Sequence, residues 1–212
     1  MFPMRYLLLI SLVLGLGACG NAYKHLSASK PDTDCIAQFK PAITTVVYKT
    51  QVDVTGHHLS GLLIIKQMED STTRMVFANE AGFTFFDFGF TPDGEMTVYK
   101  IIDKMNKKAV IKTLRKDFRL ILLLHGPSVT SSQRAAENEV YHIRREGKDH
   151  YYYVTDPACG KLIRMERGNT RKKVLEATTG GYEKGIPDTI GIHHTNFSFD
   201  IGLKRIKDYA QQ

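Results

Sequence analysis

Beyond its first twenty residues, this sequence lacks an apolar run long enough to cross a bilayer as a helix. Leu120 to Leu124 is far too short where about twenty residues are needed. It also lacks the spacings of common metal sites, with no H-E-x-x-H and no C-x-x-C. His57-His58 and His193-His194 do not replace them. A zinc site needs three or four converging ligands, and adjacent strand residues point to opposite faces, so each pair offers one ligand per face. They read as turn or surface histidines, and neither a metal nor a cofactor is expected. No G-x-S-x-G elbow is present, and Ser128 follows Gly126-Pro127 without an identifiable base. A phosphate-cradling G-x-x-x-x-G-K is absent, and no carboxylate pair stands in a glycosidase-like context. These absences argue against an enzyme. Tryptophan is missing altogether, and there is no internal repeat or low-complexity tract.

Cysteine is scarce, and its placement is informative. Cys19 closes Leu16-Gly17-Ala18-Cys19, after the apolar run Tyr6 to Gly17 and the single basic residue Arg5. A charged start, an apolar stretch and small residues form an export signal, here ending in cysteine rather than A-x-A. The pattern resembles the bacterial lipobox, in which the cysteine is acylated and the chain is cut just before it. The resemblance implies a signal peptide over residues 1–18 and a lipidated Cys19 carrying chains such as palmitate, outside the cytoplasm. Residues 19–40 are polar and poorly periodic. They read as a tether and leading segment, with a short helical turn around Asp34 to Phe39. The remaining residues, 41–212, are numerous enough for one sizeable core.

Cys35 and Cys159 are then an even pair in a space that permits disulfides. Bridged, they would close a long loop worth about 4–5 kcal/mol on the chain-entropy account. Two separate buried thiols are the alternative. Lysine and arginine number 29 against 22 acidic residues, a net +7 that includes Arg5 of the leader. Export argues against nucleic acid as a partner. The basic excess suits an anionic membrane surface or an acidic protein.

From Ile43 the hydrophobic period is two. Val46, Tyr48, Val52 and Val54 share one face, with Lys49, Gln51 and Asp53 on the other. Further strands are predicted over Leu59–Lys66, Thr73–Asn79, Gly82–Phe90 and Glu95–Ile102, with Pro92-Asp93-Gly94 as a turn. The period becomes 3.6 over Asn106 to Leu123, where Val110, Ile111, Leu114, Phe118, Ile121 and Leu122 face one way and Lys108, Lys112, Arg115, Lys116 and Arg119 the other. A polar loop, Ser128 to Glu137, precedes strands over Asn138–Glu146, His150–Asp156, Lys161–Arg167 and Arg171–Thr178. Gly180-Gly181 opens a loop, and Thr189–His193 and Asn196–Lys207 end the chain. Asp87 alternates with Phe86, Phe88 and Phe90 and should face water. Tyr151-Tyr152-Tyr153 reads as cross-strand packing more than as a sugar platform.

The count is about eleven antiparallel strands with one helix inserted after the fifth. The fold class is therefore mainly β, a curved, unclosed half-barrel. Its apolar faces (Val46, Tyr48 and Val52; Phe86, Phe88 and Phe90; Phe197, Phe199 and Ile201) either form an ordinary core under the helix or leave a cavity for an acyl chain with the helix as lid.

The lipobox, polar tether, strand count and midway helix together resemble the LolA/LolB group, an unclosed barrel with a helical lid that binds lipoprotein acyl chains. The resemblance favours the cavity. It implies that these strand residues, with Val110, Leu114, Phe118 and Ile121, line a lipid site, and that a periplasmic carrier protein is a partner. Because Gly20 is not aspartate, it also implies anchorage in the outer membrane, facing the periplasm. The competing expectation is a structural or assembly lipoprotein acting through protein contacts.

Overall fold

The structure, a computed structural model, describes residues 21–30, 32, 34–124, 130–135 and 138–207. Cys19 and the leader lie outside the described residues. In chain order the elements are β1 (Ser27–Ser29), a 3-10 turn (Ala37–Phe39), β2 (Thr45–Val54), β3 (His57–Gln67), β4 (Thr73–Ala78), β5 (Thr84–Phe90) and β6 (Met96–Ile101). The helix α1 (Lys108–Ile121) follows. Then come β7 (Ser131–Arg134), β8 (Val140–Glu146), β9 (Asp149–Thr155), β10 (Leu162–Gly168), β11 (Lys173–Glu183), β12 (Ile186–His194) and β13 (Phe199–Arg205).

All strands join one antiparallel sheet of thirteen, ordered β1-β7-β8-β9-β10-β11-β12-β13-β2-β3-β4-β5-β6. It is not closed, since β1 and β6 remain as edges. The chain returns to pair β13 with β2, Phe199 opposite Val54, so the two hairpin series form one surface. Register shifts at Phe77/Ala78, Asp87/Phe88, Leu162/Arg164 and Arg167/Gly168 add bend and twist.

Period-two patterning sorts side chains by face. In β9, Tyr151 and Tyr153 enter the main core while Tyr152 and Val154 join a smaller cluster on the other face with Tyr23, Tyr141 and Ile143. The tyrosine run is thus packing on both faces. Asp87 faces away from the phenylalanines, and Arg74 donates to it from the neighbouring strand through Nε (2.5 Å) and Nη2 (2.7 Å). Cys35 and Cys159 form the disulfide, with Cα atoms 5.8 Å apart, and join the 3-10 turn to the β9–β10 turn.

The strand count differs from the predicted eleven because β1, at one edge of the sheet, and its neighbour β7 are short, polar strands. Ser27-Ala28-Ser29 pairs with Ser132-Gln133-Arg134 through the backbone ladder and carries no apolar alternation. β7 therefore stands inside the segment predicted as a polar loop. Gly180-Gly181 is not a loop but part of β11. The chain reverses at Lys184-Gly185, whose positive φ angles of 52° and 75° suit a tight two-residue hairpin.

The leading segment is also not a free tether. The Ala22 amide donates to the Arg171 carbonyl at 2.8 Å. Tyr23 is buried, stacks on Tyr152 with centroids 4.1 Å apart and donates its hydroxyl to Glu166 Oε2 at 3.0 Å. Burial is the main cause, and the Glu166 charge a further one, that pushes this phenol well above its ordinary range.

Candidate functional site

The concave face of the sheet and α1 meet in one apolar cluster. Val46, Tyr48, Phe86, Phe88, Phe90, Leu114, Phe118, Ile121, Phe199 and Ile201 are all buried in it. Val52 and Val110 are partly buried and pack at its margin. Sequence periodicity thus brings twelve of the thirteen predicted lipid-contact residues together. Phe197 is the exception: it lies between β12 and β13, is 40% exposed, and stacks on Phe199 with centroids 5.7 Å apart.

The face is closely filled. Phe86 stacks on Phe88 at 4.3 Å, and Phe118 of the helix sits 5.7 Å from Phe86 and 6.3 Å from Phe90. Phe88 and Phe90 have no accessible surface. The Tyr48 hydroxyl donates to the Pro187 carbonyl at 2.9 Å.

A charged seam that patterning did not single out fixes the C-terminal half of α1. Asp117 is wholly buried, accepting from Arg167 Nη2 at 2.9 Å and pairing with His194 Nε2 at 2.8 Å. Arg119, expected on the exposed basic face, is instead buried, because its Nη1 donates to Glu146 of the sheet at 2.9 Å, and Lys116 pairs with Asp149. The signal was present: Asp117 continues the spacing Leu114, Phe118, Ile121, and His194 continues Ile190, Ile192. His194 is therefore an interior residue, not the turn or surface histidine predicted, whereas exposed His193 faces the other way and bonds Asp200 at 2.5 Å. His58 similarly bonds Asp53 at 2.7 Å, and no cluster of metal-ligating side chains occurs among the described residues.

Arg119 Nε, Arg167 Nε and Tyr153 Oη are buried without a hydrogen-bond partner among the described residues, and each can donate. The helix start differs in character. Lys107, Lys108 and Lys112 are exposed, and no acidic residue occupies the first turn.

A polar cleft of about 510 Å³ lies elsewhere, beside the disulfide, lined by residues such as Asp32, Asp34, His142 and Asp156. His142 is buried, with Nε2 3.1 Å from Thr155 Oγ1 and 3.3 Å from Cys35 Sγ. Thr155 Oγ1 in turn donates to the Asp156 carbonyl at 3.0 Å. Burial lowers the pKa of this imidazole, partly opposed by Asp32.

No family model matches the chain, and no curated protein matches it. Among solved structures it is similar to a DUF1329 family protein from Desulfovibrio piger, with TM-score 0.46 and 8% identity over 85% of this chain and 93% of that one. It is also similar to an outer membrane lipoprotein-sorting protein domain from Vibrio parahaemolyticus, with TM-score 0.40 and 9% identity over 82% and 89%. Scores and identities this low bear on neither ligand nor partner.

Proposed function

We propose that this chain is a non-enzymatic, lipid-anchored envelope protein that holds an acyl chain of a lipid or lipoprotein between α1 and the concave face of its open sheet. The observation carrying the reading is the form of the cover. One amphipathic helix, not a second sheet, lies over a continuous apolar face, with its charged seat gathered in Arg115, Lys116, Asp117 and Arg119 in its C-terminal half. Displacing the lysine-rich half would uncover the margin of the apolar face at Val110 and admit a chain there, while that seat keeps Phe118 against Phe86 and Phe90. The unmatched donors of Arg119, Arg167 and Tyr153 would take a polar head. On this reading Cys19 anchors the protein in the outer membrane facing the periplasm, where it receives cargo as LolB-like proteins do from a periplasmic carrier.

A second reading, a structural or assembly lipoprotein, is favoured by the filling of that face, since Phe88 and Phe90 are fully enclosed. Phe88→Gln and Phe199→Gln, made in a form lacking Cys19, separate the two. Melting and binding of a fluorescent fatty acid are measured on the same samples. Folded variants with weakened binding support the carrier. A wild type that binds no probe, with variants that unfold, supports the structural role, because an unpaired buried amide costs about 1–3 kcal/mol or more.

A further inference from the structure

We infer that Cys35, Cys159 and His142 form a thiol–disulfide exchange centre, in which an external thiol opens the bridge at Cys159 and His142 lends the proton that lets Cys35 leave. The inference does not rest on the acyl-chain reading, since it concerns the polar cleft beside the bridge and not the apolar face under α1.

The two sulfurs stand in unlike surroundings. Both cysteines line the cleft, but Cys35 is 4% exposed and packed into the main apolar cluster. Cys159 is partly exposed, in a turn whose Pro157, Ala158 and Gly160 are exposed. It also holds a left-handed φ of 56°, which a residue other than glycine adopts only under constraint. Gln38 Nε2 supplies part of that constraint, donating to the Cys159 carbonyl at 2.8 Å and to its Sγ at 3.1 Å. Strained or exposed bridges are the ones that exchange. Cys159 Sγ is therefore the sulfur that an incoming thiolate reaches, and Cys35 Sγ the one that departs. The cleft, about 510 Å³, falls in the range that admits a drug-sized molecule, so a thiol as large as glutathione can approach the turn.

The departing sulfur has an acid–base group against it. His142 Nε2 lies 3.3 Å from Cys35 Sγ, and the ring is 2% exposed, with Ser132 Oγ 3.5 Å from Nδ1 on its other side. A purely structural bridge needs no such neighbour, because a disulfide sulfur has no proton to exchange with an imidazole. Burial lowers the pKa of the ring, and the Asp32 carboxylate and a hydrogen bond with the Asp32 backbone oppose this. The charged groups lining the same cleft are Lys30, Asp32 and Asp34 of the leading segment, Arg134 of β7 and Asp156 after β9.

In the opening reaction an external thiol gives up its proton, and its thiolate attacks Cys159 Sγ. The new S–S bond forms as the Cys35–Cys159 bond breaks, and the electron pair leaves on Cys35 Sγ. His142 Nε2 takes up the released proton from solvent and passes it to Cys35. A second thiol then attacks the mixed disulfide and frees Cys159 as a thiol. Two external thiols are oxidised to one disulfide, and the bridge is reduced to two thiols. Closure by an external disulfide runs these steps backwards, with Nε2 as the base for Cys35. The co-reactant is a thiol/disulfide couple, either a small thiol or the C-x-x-C site of a redox protein. Opening releases the 3-10 turn from the β9–β10 turn, so the couple controls one of the points at which the leading segment is held.

The test opens the native, bridged protein with reduced glutathione under non-denaturing conditions, quenches in acid and maps thiols and adducts by mass spectrometry. Opening first order in glutathione, with the adduct on Cys159, is expected. Proton transfer by a placed side chain is worth about 10²–10⁴-fold, so His142→Gln should slow opening about tenfold or more at pH 6. The ratio of wild type to variant should shrink toward pH 9, where the ring has no proton to lend. Lost stability in the variant acts the other way, since unfolding exposes the bridge and speeds opening. His150→Gln, at a buried imidazole at the other end of β9, should leave the rate unchanged. A reduced C-x-x-C protein used in place of glutathione identifies the couple: a faster His142-dependent rate at equal thiol assigns a protein, and an equal or slower one the small thiol. Opening independent of glutathione concentration, an adduct on Cys35, or a His142 ratio near one or constant with pH would overturn the inference.

Discussion

The buried seat of α1 offers a decisive perturbation. Asp117 has no exposed surface, and its carboxylate meets two groups, Arg167 at 2.9 Å and His194 at 2.8 Å, whose side chains are 8% and 1% exposed. Asp117→Asn keeps the volume and an acceptor but removes the charge, leaving the Arg167 guanidinium buried beside a neutral partner. Breaking a buried pair from one side costs about 3–5 kcal/mol, and the retained acceptor places this variant near 3. For a domain of 150–250 residues each kcal/mol moves the midpoint by about 2–4 °C, so a fall of about 6–12 °C is expected. Arg167→Met should cost a similar amount by stranding the carboxylate. The double variant removes both charges and should cost less than the sum of the singles, with a coupling of about 1–3 kcal/mol. Urea and thermal unfolding measure all three, and an unchanged m-value would show that the unfolded reference is the same. Glu146→Gln is the contrast: its carboxylate is 42% exposed, and the change should cost about 1 kcal/mol or less. A shift under about 2 °C for Asp117→Asn, or additive costs in the double variant, would refute the seam as the anchor of the helix.

Two further outcomes follow from the interior. His142 and His150 are held neutral, chiefly by burial, below the ordinary value of 6.5. The unfolded chain therefore binds protons that the native state does not, and stability should fall as pH drops below about 6.5, which a series of melting curves from pH 8 to 5 would record. Tyr23→Ala should lower stability by about 3–5 kcal/mol, the range for losing a large buried aromatic, as read by urea unfolding, whereas a mere tether would tolerate it.

Most of the architecture was written in the alternation of side chains. Thr45–Val54 formed the strand that Val46, Tyr48, Val52 and Val54 predict, because period two is the only spacing that puts them on one face. The 3.6 period placed Leu114, Phe118 and Ile121 together on the helix for the same reason. The parity of Cys35 and Cys159 pointed to the bridge that forms.

Other features depend on partners remote in the chain. Strands β1 and β7 have no local pattern because their mutual pairing is carried by backbone groups 103 to 107 residues apart, from Ser29↔Ser132 to Ser27↔Arg134. Tyr23 looked like part of a polar leader until Tyr152 and Glu166 gave its ring and hydroxyl a site. Asp117 and His194 lay on inward-facing spacings, but polar residues there have meaning only when Arg167, 50 residues from Asp117, arrives to satisfy the charge. The sequence by itself determined which faces are apolar, where the helix lies and which cysteines can pair, since those follow from local geometry. The tertiary structure alone decided how the helix is seated on the open sheet and that the leading segment is bound, because each requires groups distant in sequence to meet.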